Sequence, residues 1–312
     1  MSISEKTSPL FPKVTLIGLG LMGSSLCHAM RRKGIAGHIS GHDHNPETRE
    51  KAFELKLVDD VFENPTNAIK EADLIILCVP VGGCGEIVED IKYAMKPGAI
   101  LTDVGSVKSQ VITDILPHLP EDVHFIPGHP VAGTEYSGPE AGFAELYDGR
   151  WCILTPLENT DPGAIAKLTT FWQSCGSSVE IMSAEHHDKV LAITSHIPHL
   201  IAYNIVGTAS ELEHDTLSEV IKFSAGGFRD FTRIASSDPV MWRDIFLNNK
   251  EAVLEMLGRF SEDLSALQRA IRRNDGQQLF DHFARTRAIR QSIIEAGQET
   301  DVPDFGRPHK SE

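Results

Sequence analysis

Four stretches of the chain concentrate side chains able to do acid–base or anion chemistry. Asp103-Val104-Gly105-Ser106-Val107-Lys108 and Gly128-His129-Pro130-Val131-Ala132-Gly133-Thr134-Glu135 each follow an apolar run. Ser195-His196-Ile197-Pro198-His199 comes later, and a glycine- and arginine-bearing stretch runs from Ser224 through Gly226 and Gly227 to Arg229 and Arg233. His129 is the best single general-base candidate, because an imidazole with an ordinary pKa of about 6.5 exchanges protons at neutral pH. The chain has 14 histidines, so the residue type alone decides nothing, and a structural role fits the pattern as well. Arg233 or Arg229 could clamp a carboxylate through two parallel hydrogen bonds. The bland alternative is a surface salt bridge to Asp230 or Asp244, and it suits Arg229 well.

A metal reading of the histidines fails. His196 and His199 have a spacing that metal sites use. Pro198 breaks the turn between them, and no H-E-x-x-H or nearby carboxylate completes a donor set, so no metal is expected. His186 and His187 are adjacent, point to different helix faces, and are expected to add nothing. Pro198 is expected to kink a helix at a cleft and to present Ser195 or His199 there.

The other chemistry-bearing pattern is Gly18-Leu19-Gly20-Leu21-Met22-Gly23, a G-x-G-x-x-G between an apolar run and a helical pattern. Gly18 permits a tight turn, Gly20 lets backbone approach a pyrophosphate, and Gly23 allows close helix–strand packing. The helix start supplies free N–H groups and a positive dipole end. Asp43 falls about 20 residues beyond the last glycine, where an acid would bond a ribose 2′-hydroxyl. It could instead cap the next helix, but Asn45 serves that role better. A carboxylate there repels a 2′-phosphate, and the nearest arginine, Arg49, is on the following helix. NAD is therefore expected rather than NADP. Leu21, Met22, Val79 and Pro80 complete the expected cofactor-binding set.

The elements that must position these groups are legible as alternating apolar runs and helical patterns. Strands are expected at Val14–Gly18, Ile39–Asp43, Leu74–Val79, Ala99–Asp103, Val123–Ile126, Trp151–Thr155 and Val179–Ile181. The run LIILCV is apolar on every side, as a strand buried on both faces must be. Helices are expected over Ser24–Arg32, from the Asn45-Pro46 cap to about Leu55, and after Asp161-Pro162. This alternation implies an α/β fold with a doubly wound parallel sheet. Both polar segments at 103–108 and 128–135 then lie beyond strand ends, where ligands bind in such folds.

From about Ser183 the strand pattern stops. Asp238-Pro239 is another cap, and Leu257, Phe260, Leu264, Leu267 and Ile271 recur as a helix seam. The expected organisation is a nucleotide-binding domain over residues 1–185, an all-helical domain over 186–298, and a disordered tail over 299–312. The seam suggests a dimer.

Composition narrows the function classes. The chain has 312 residues, 41% hydrophobic and 23% charged, ordinary for a globular protein of about two domains. Asp and Glu number 44 against 29 Lys and Arg, a formal charge of −15. That balance argues against nucleic acid and anionic membrane as partners, so positive potential for an anionic substrate must be local. The five cysteines, Cys27, Cys78, Cys84, Cys152 and Cys175, form no C-x-x-C and read as reduced core residues. The start, MSISEKTSPLFPK, has no apolar h-region, and no apolar run approaches about 20 residues, so a cytoplasmic protein is expected.

Taken together, DVGSVK (103–108), GHPVAGTEYSG (128–138), SHIPH (195–199) and GGFRDFTRIASSDPVMW (226–242) resemble the prephenate/arogenate (cyclohexadienyl) dehydrogenase family of tyrosine biosynthesis. The resemblance runs from about Val14 to Ile294. It implies a Rossmann domain followed by a helical dimerisation domain, and NAD-dependent oxidative decarboxylation of a cyclohexadienyl acid. It implies that His129 accepts the proton of the substrate ring hydroxyl and that Ser106 holds the same hydroxyl. Arg233 would bind a carboxylate, Ser195, His199 and Gly226 would line the pocket, and Thr134, Glu135 and Trp242 would lie near its mouth. No mutase or regulatory domain is expected.

Two other functions compete. A 3-hydroxyacid dehydrogenase of similar plan would need a lysine on a helix of the second domain, with Lys189 and Lys222 as candidates. A non-catalytic NAD-sensing dimer would account for the glycines but leave GHPVAGTE and SHIPH without purpose.

Overall fold

The computed structural model describes residues 8–134, 136–211, 222 and 226–295. The chain divides into two compact units, Met1–Ala252 and Val253–Glu312.

The first unit is built on a parallel sheet whose strands are β1 (Phe11–Ile17), β2 (Ala36–His42), β3 (Asp60–Phe62), β4 (Leu74–Leu77), β5 (Ile100–Asp103) and β6 (His124–Phe125). Their order is β3-β2-β1-β4-β5-β6, and every pairing is parallel. The order reverses between β1 and β4, which opens a crevice beyond their carboxyl ends. β1 pairs Val14 with both Ile39 and Leu74, and β4 carries Leu77 opposite Asp103. The unbroken apolarity of β4 has its expected cause. Leu74 and Ile76 join one buried cluster with Leu16, Leu26 and Trp172, while Ile75 and Leu77 join another with Ile17, Leu101 and Val111.

Helices α1 (Leu21–Lys33), α2 (Pro46–Glu54), α3 (Pro65–Ala68), α4 (Cys84–Ile91) and α5 (Ser109–Ile115) connect these strands. Asn45 caps α2 by accepting the Glu47 N–H, with Pro46 in the first turn. Asp161 caps α6 (Pro162–Ser174) by accepting the Ala164 N–H.

Two predicted strands do not extend the main sheet. β8 (Trp151–Leu154) and β9 (Ser178–Ile181) form a smaller sheet with β7 (Gly128–Pro130), in the order β7-β8-β9. β7 runs antiparallel to β8, and β8 runs parallel to β9. The chain leaves the main sheet at Pro127, which has no N–H for a ladder and whose carbonyl accepts Thr155 N–H at 2.9 Å. His129 therefore lies within a short strand, rather than in a loop past one.

Beyond β9 the described residues are helical: α7 (Ala184–Leu191), α8 (Ile197–Ser210), and helices over Gly226–Thr232, Pro239–Asn248, Lys250–Arg272 and Gly276–Glu295. A π turn, Ala192–His196, joins α7 to α8, with Pro198 in the first turn of α8. Proline has no N–H for the carbonyl one turn back, so the helix widens there. Ala184–Ser210 is thus one helical stretch of 27 residues, and its most apolar window has mean hydropathy 1.3. By length and composition alone it is long and apolar enough to cross a bilayer, although it holds no uninterrupted apolar run approaching about 20 residues. Thr194, Ser195, His196 and His199 interrupt its apolar residues without charging them. All five predicted seam residues fall on Lys250–Arg272, with Leu264 and Ile271 exposed. The tail from residue 299 lies outside the described residues.

Candidate active site

The glycine loop joins β1 to α1 where the strand order reverses. Gly18 has φ of +98°, and a Cβ there would overlap the Cys78 carbonyl oxygen and lie 3.2 Å from Val79 Cγ1. A Cβ on Gly23 would overlap the Gly18 carbonyl oxygen. Gly20 has nothing within 4 Å of its Cβ position, so its backbone is bare to an approaching group. Leu21 and Met22 begin α1, and Pro80 leads from β4 into a turn over Val81–Gly83.

Asp43 is 9% exposed just past β2. Its Oδ2 accepts Leu19 N–H at 2.9 Å and its Oδ1 accepts Asn45 N–H at 2.9 Å. Each oxygen keeps a second lone pair for a ribose hydroxyl. Arg49 folds back from α2, and its Nη1 donates to the Asp43 and His44 carbonyls at 2.8 and 3.1 Å. These features fit a dinucleotide: a bare glycine at a helix start, and a carboxylate with acceptor capacity to spare.

A buried polar cluster centres on His129, which is 6% exposed. Its Nδ1 lies 2.8 Å from His187 Nε2, and His187 Nδ1 lies 2.8 Å from Asp188 Oδ1. The Asp188 carboxylate accepts Lys108 N–H at 2.8 Å and Ser109 N–H at 2.9 Å. Lys108 and Asp103 are fully buried and form an ion pair through Nζ and Oδ2. Lys108 Nζ also donates to the Gly128 carbonyl at 2.7 Å, and Asp103 Oδ1 accepts Gly128 N–H at 3.2 Å. The carboxyl end of β5 thereby fixes the residue preceding His129.

The expectation that His187 adds nothing is overturned. Its face on α7 turns inward to His129, which comes from a strand 58 residues earlier in the chain. Asn249 closes the cluster: its Nδ2 donates to the Asp188 carbonyl at 2.9 Å and lies 3.1 Å from His196 Nδ1. His196 is fully buried, and its Nε2 has no partner among the described residues. His199 donates through Nδ1 to the Ser195 carbonyl at 2.8 Å and stacks on the buried Trp242, ring centroids 3.7 Å apart. The Trp242 Nε1 likewise has no partner among the described residues.

These surroundings keep the imidazoles neutral. Burial, then the nearby His187, Lys108 and His196, hold His129 well below its ordinary pKa. Burial takes His196 down to about 4. His187 is lowered by burial despite its bond to Asp188. Burial pushes the Asp188 carboxyl up, but hydrogen bonds from His187, Ser109 and Lys108 outweigh it and keep the pKa below the usual range. Burial lowers His199 too, with the Arg233 charge adding to the effect.

The remaining predicted residues spread around this core. Ser106 is half-buried in the loop that Lys108 anchors. Arg233 is exposed at the start of the turn Arg233–Ser236. Gly226 opens its helix beside Asp230 and Arg229, and Arg229 pairs with Asp230 on the surface at 3.3 Å. Thr134 is half-buried and accepts Tyr136 N–H, while Glu135, Ser224 and Ala225 lie outside the described residues. Lys189 and Lys222 are exposed, whereas Lys108 is fully buried. Residue-by-residue reading missed His187, Asp188, Asn249 and the anchoring role of Lys108. The only sequence signal for the first two was their adjacency in His-His-Asp. Among the described residues no group of three or more His, Cys, Asp or Glu converges as metal donors, and all five cysteines are free.

Comparison with known proteins identifies similar chains. A family profile described as "Prephenate dehydrogenase, nucleotide-binding domain" matches residues 26–181, and "Prephenate dehydrogenase, dimerization domain" matches residues 183–285. A cyclohexadienyl dehydrogenase of Zymomonas mobilis is 42% identical, over 91% of this chain and 97% of that one. The prephenate dehydrogenase of Bacillus subtilis is 33% identical, over 90% of this chain and 76% of its own. A prephenate dehydrogenase from Aquifex aeolicus, solved with hydroxyphenyl propionate and NAD+, superposes with TM-score 0.84 at 37% identity, covering 90% of this chain and 98% of that one.

Proposed function

This chain belongs to the prephenate dehydrogenase family, and from that premise we propose that it oxidatively decarboxylates prephenate, arogenate or both, using NAD. The observation that carries the reading is His129, a buried imidazole kept below its ordinary pKa at the carboxyl end of the nucleotide-binding sheet. The name of the Zymomonas relative, a cyclohexadienyl dehydrogenase, supports a substrate class rather than one acid.

The cofactor would be held by Gly18, Gly20, Leu21, Met22 and Gly23 at its phosphates, by Asp43 at the ribose, and by Val79 and Pro80 beyond β4. When bound, NAD supplies the acceptor for a hydride. His129 takes the proton of the ring hydroxyl, with Ser106 holding that oxygen. Loss of the ring carboxylate as CO₂ then leaves an aromatic ring, which drives the reaction forward. The chain's work reduces to binding, orientation and one base. Arg233 would bind a substrate carboxylate, and its charge already bears on His199. Ser195, His199 and Gly226 would line the pocket, with Thr134, Glu135 and Trp242 at its mouth. The protein would act as a homodimer with a nucleotide domain over 1–185 and a helical domain over 186–298. Exposed Leu264, Ile271, Phe280 and Phe283 in that helical part support the dimer.

The test is NADH formation by purified protein with prephenate and with arogenate, each with NAD and with NADP. Turnover with NAD on either acid is expected. Tight NADH binding without turnover on both would overturn the reading.

A further inference from the structure

His187 and Asp188 have no part in the chemistry proposed above, yet they are buried in line behind His129. The hydrogen-bond directions along this line are forced from one end. Asp188 accepts backbone N–H groups on both carboxylate oxygens, from Lys108 at 2.8 Å and Ser109 at 2.9 Å, so it faces its neighbours as an acceptor. His187 Nδ1, 2.8 Å from Asp188 Oδ1, must then carry a hydrogen. A neutral imidazole carries only one, so His187 Nε2 is a bare acceptor. His129 Nδ1, 2.8 Å from it, must donate. The lone pair of His129 is thereby placed on Nε2. Among the described residues Nε2 has no hydrogen-bond partner, and it is not one of the atoms sealed from solvent.

From this geometry we infer that His187 and Asp188 are positioning residues, which hold His129 in the one tautomer whose Nε2 can take a proton. The inference rests on the reading of His129 as the base. The opposite tautomer would present an N–H to the substrate hydroxyl and leave nothing to receive its proton. After proton transfer the remaining Nδ1–H stays bonded to His187, with the Asp188 carboxylate behind it. The positive charge therefore forms in a setting already arranged for it. Lys108 and His196 face the same imidazole and oppose that charge, and the Asp103 carboxylate pairs with Lys108.

Two measurements on the full-length protein test the inference. The first is a long-range ¹H–¹⁵N spectrum with ¹⁵N-labelled histidine at neutral pH, in which His129 is the residue missing from His129→Asn. The expected spectrum shows hydrogen on Nδ1 and a bare Nε2; hydrogen on Nε2 overturns the inference, whatever the enzyme's substrate. The second is NADH formation from prephenate or arogenate. His187→Phe should lower kcat by about 10²-fold or more at unchanged NAD affinity, since the productive tautomer then buries its Nδ1–H against a ring with no acceptor and is disfavoured. His187→Gln should recover much of that loss, because an amide can donate to Asp188 and accept from His129. A full kcat in His187→Phe, or a His187→Gln no better than His187→Phe, overturns the positioning role. If wild-type protein turns over neither acid, the reaction reading fails while the spectrum still decides the tautomer.

Discussion

At the carboxyl end of one sheet, the nucleotide loop is made of backbone and the histidine cluster of side chains. The loop takes Gly18, Gly20 and Gly23 from a single hexapeptide, and its demands are steric: no Cβ fits at Gly18 or Gly23. The cluster draws Asp103 from the end of β5, Lys108 from the loop before α5, His129 from β7, His187 and Asp188 from α7, and Asn249 from beyond the Pro239–Asn248 helix. Its demands are electrostatic: every charge is buried and must be matched. A backbone site tolerates side-chain change around it and fails when a glycine is lost. A side-chain site survives backbone drift and fails when one partner is removed.

That contrast orders the expected effects of substitution. The largest belongs to the base: His129→Asn should lower kcat by about 10²–10⁴-fold while NAD affinity holds, as loss of general-base catalysis does. Steady-state kinetics with a separate NADH titration checks it. Next is the buried pair. Lys108→Met leaves the Asp103 carboxylate uncompensated and should cost about 3–5 kcal/mol of stability, read by urea unfolding. In the loop, Gly18→Ala forces an alanine into φ of +98°. It should cost roughly 1–3 kcal/mol in backbone strain alone, with NAD affinity falling in the same variant. If Gly18→Ala binds NAD normally, the backbone account of the loop is wrong.

Arg233→Ala should mainly raise KM, by about tenfold or more, since a charged hydrogen bond is worth about 1.5–3 kcal/mol. An unchanged KM would move carboxylate binding to another group. The last effect is on stability against pH. His129, His187 and His196 are buried with lowered pKa values. Below about 6.5 the unfolded chain protonates them first, so stability is full above that pH and falls as pH drops, by at most about 1.4 kcal/mol per unit for each histidine. Thermal melts between pH 7 and pH 5 check the direction.

The same contrast explains what could be read without coordinates. The glycine loop, Asp43 and the Asn45-Pro46 cap are local, and spacing along the chain carries their whole meaning. β4 was legible because a strand buried on both faces leaves an apolar run. The small sheet was not, because Trp151–Leu154 and Ser178–Ile181 look like any other strands until Pro127 turns the chain away. His129 stood out by type and context, but His187 did not. Its partner is remote in sequence, and helical geometry only rules out adjacent residues sharing a face, not one of them facing inward. Lys108 was visible in its motif, yet nothing in the spacing marks a lysine that will be fully buried.

If the buried neutral imidazole of His129 is the base, the pH dependence of kcat/KM for wild-type protein with NAD must follow its lowered pKa. A base held below its ordinary pKa stays active as pH falls until that lowered value is reached. The predicted profile is flat from neutrality down through about 6.5, with its acid limb below that point. An acid limb at or above about 6.5 that persists unchanged in His129→Asn would contradict the claim and assign the proton transfer to another group.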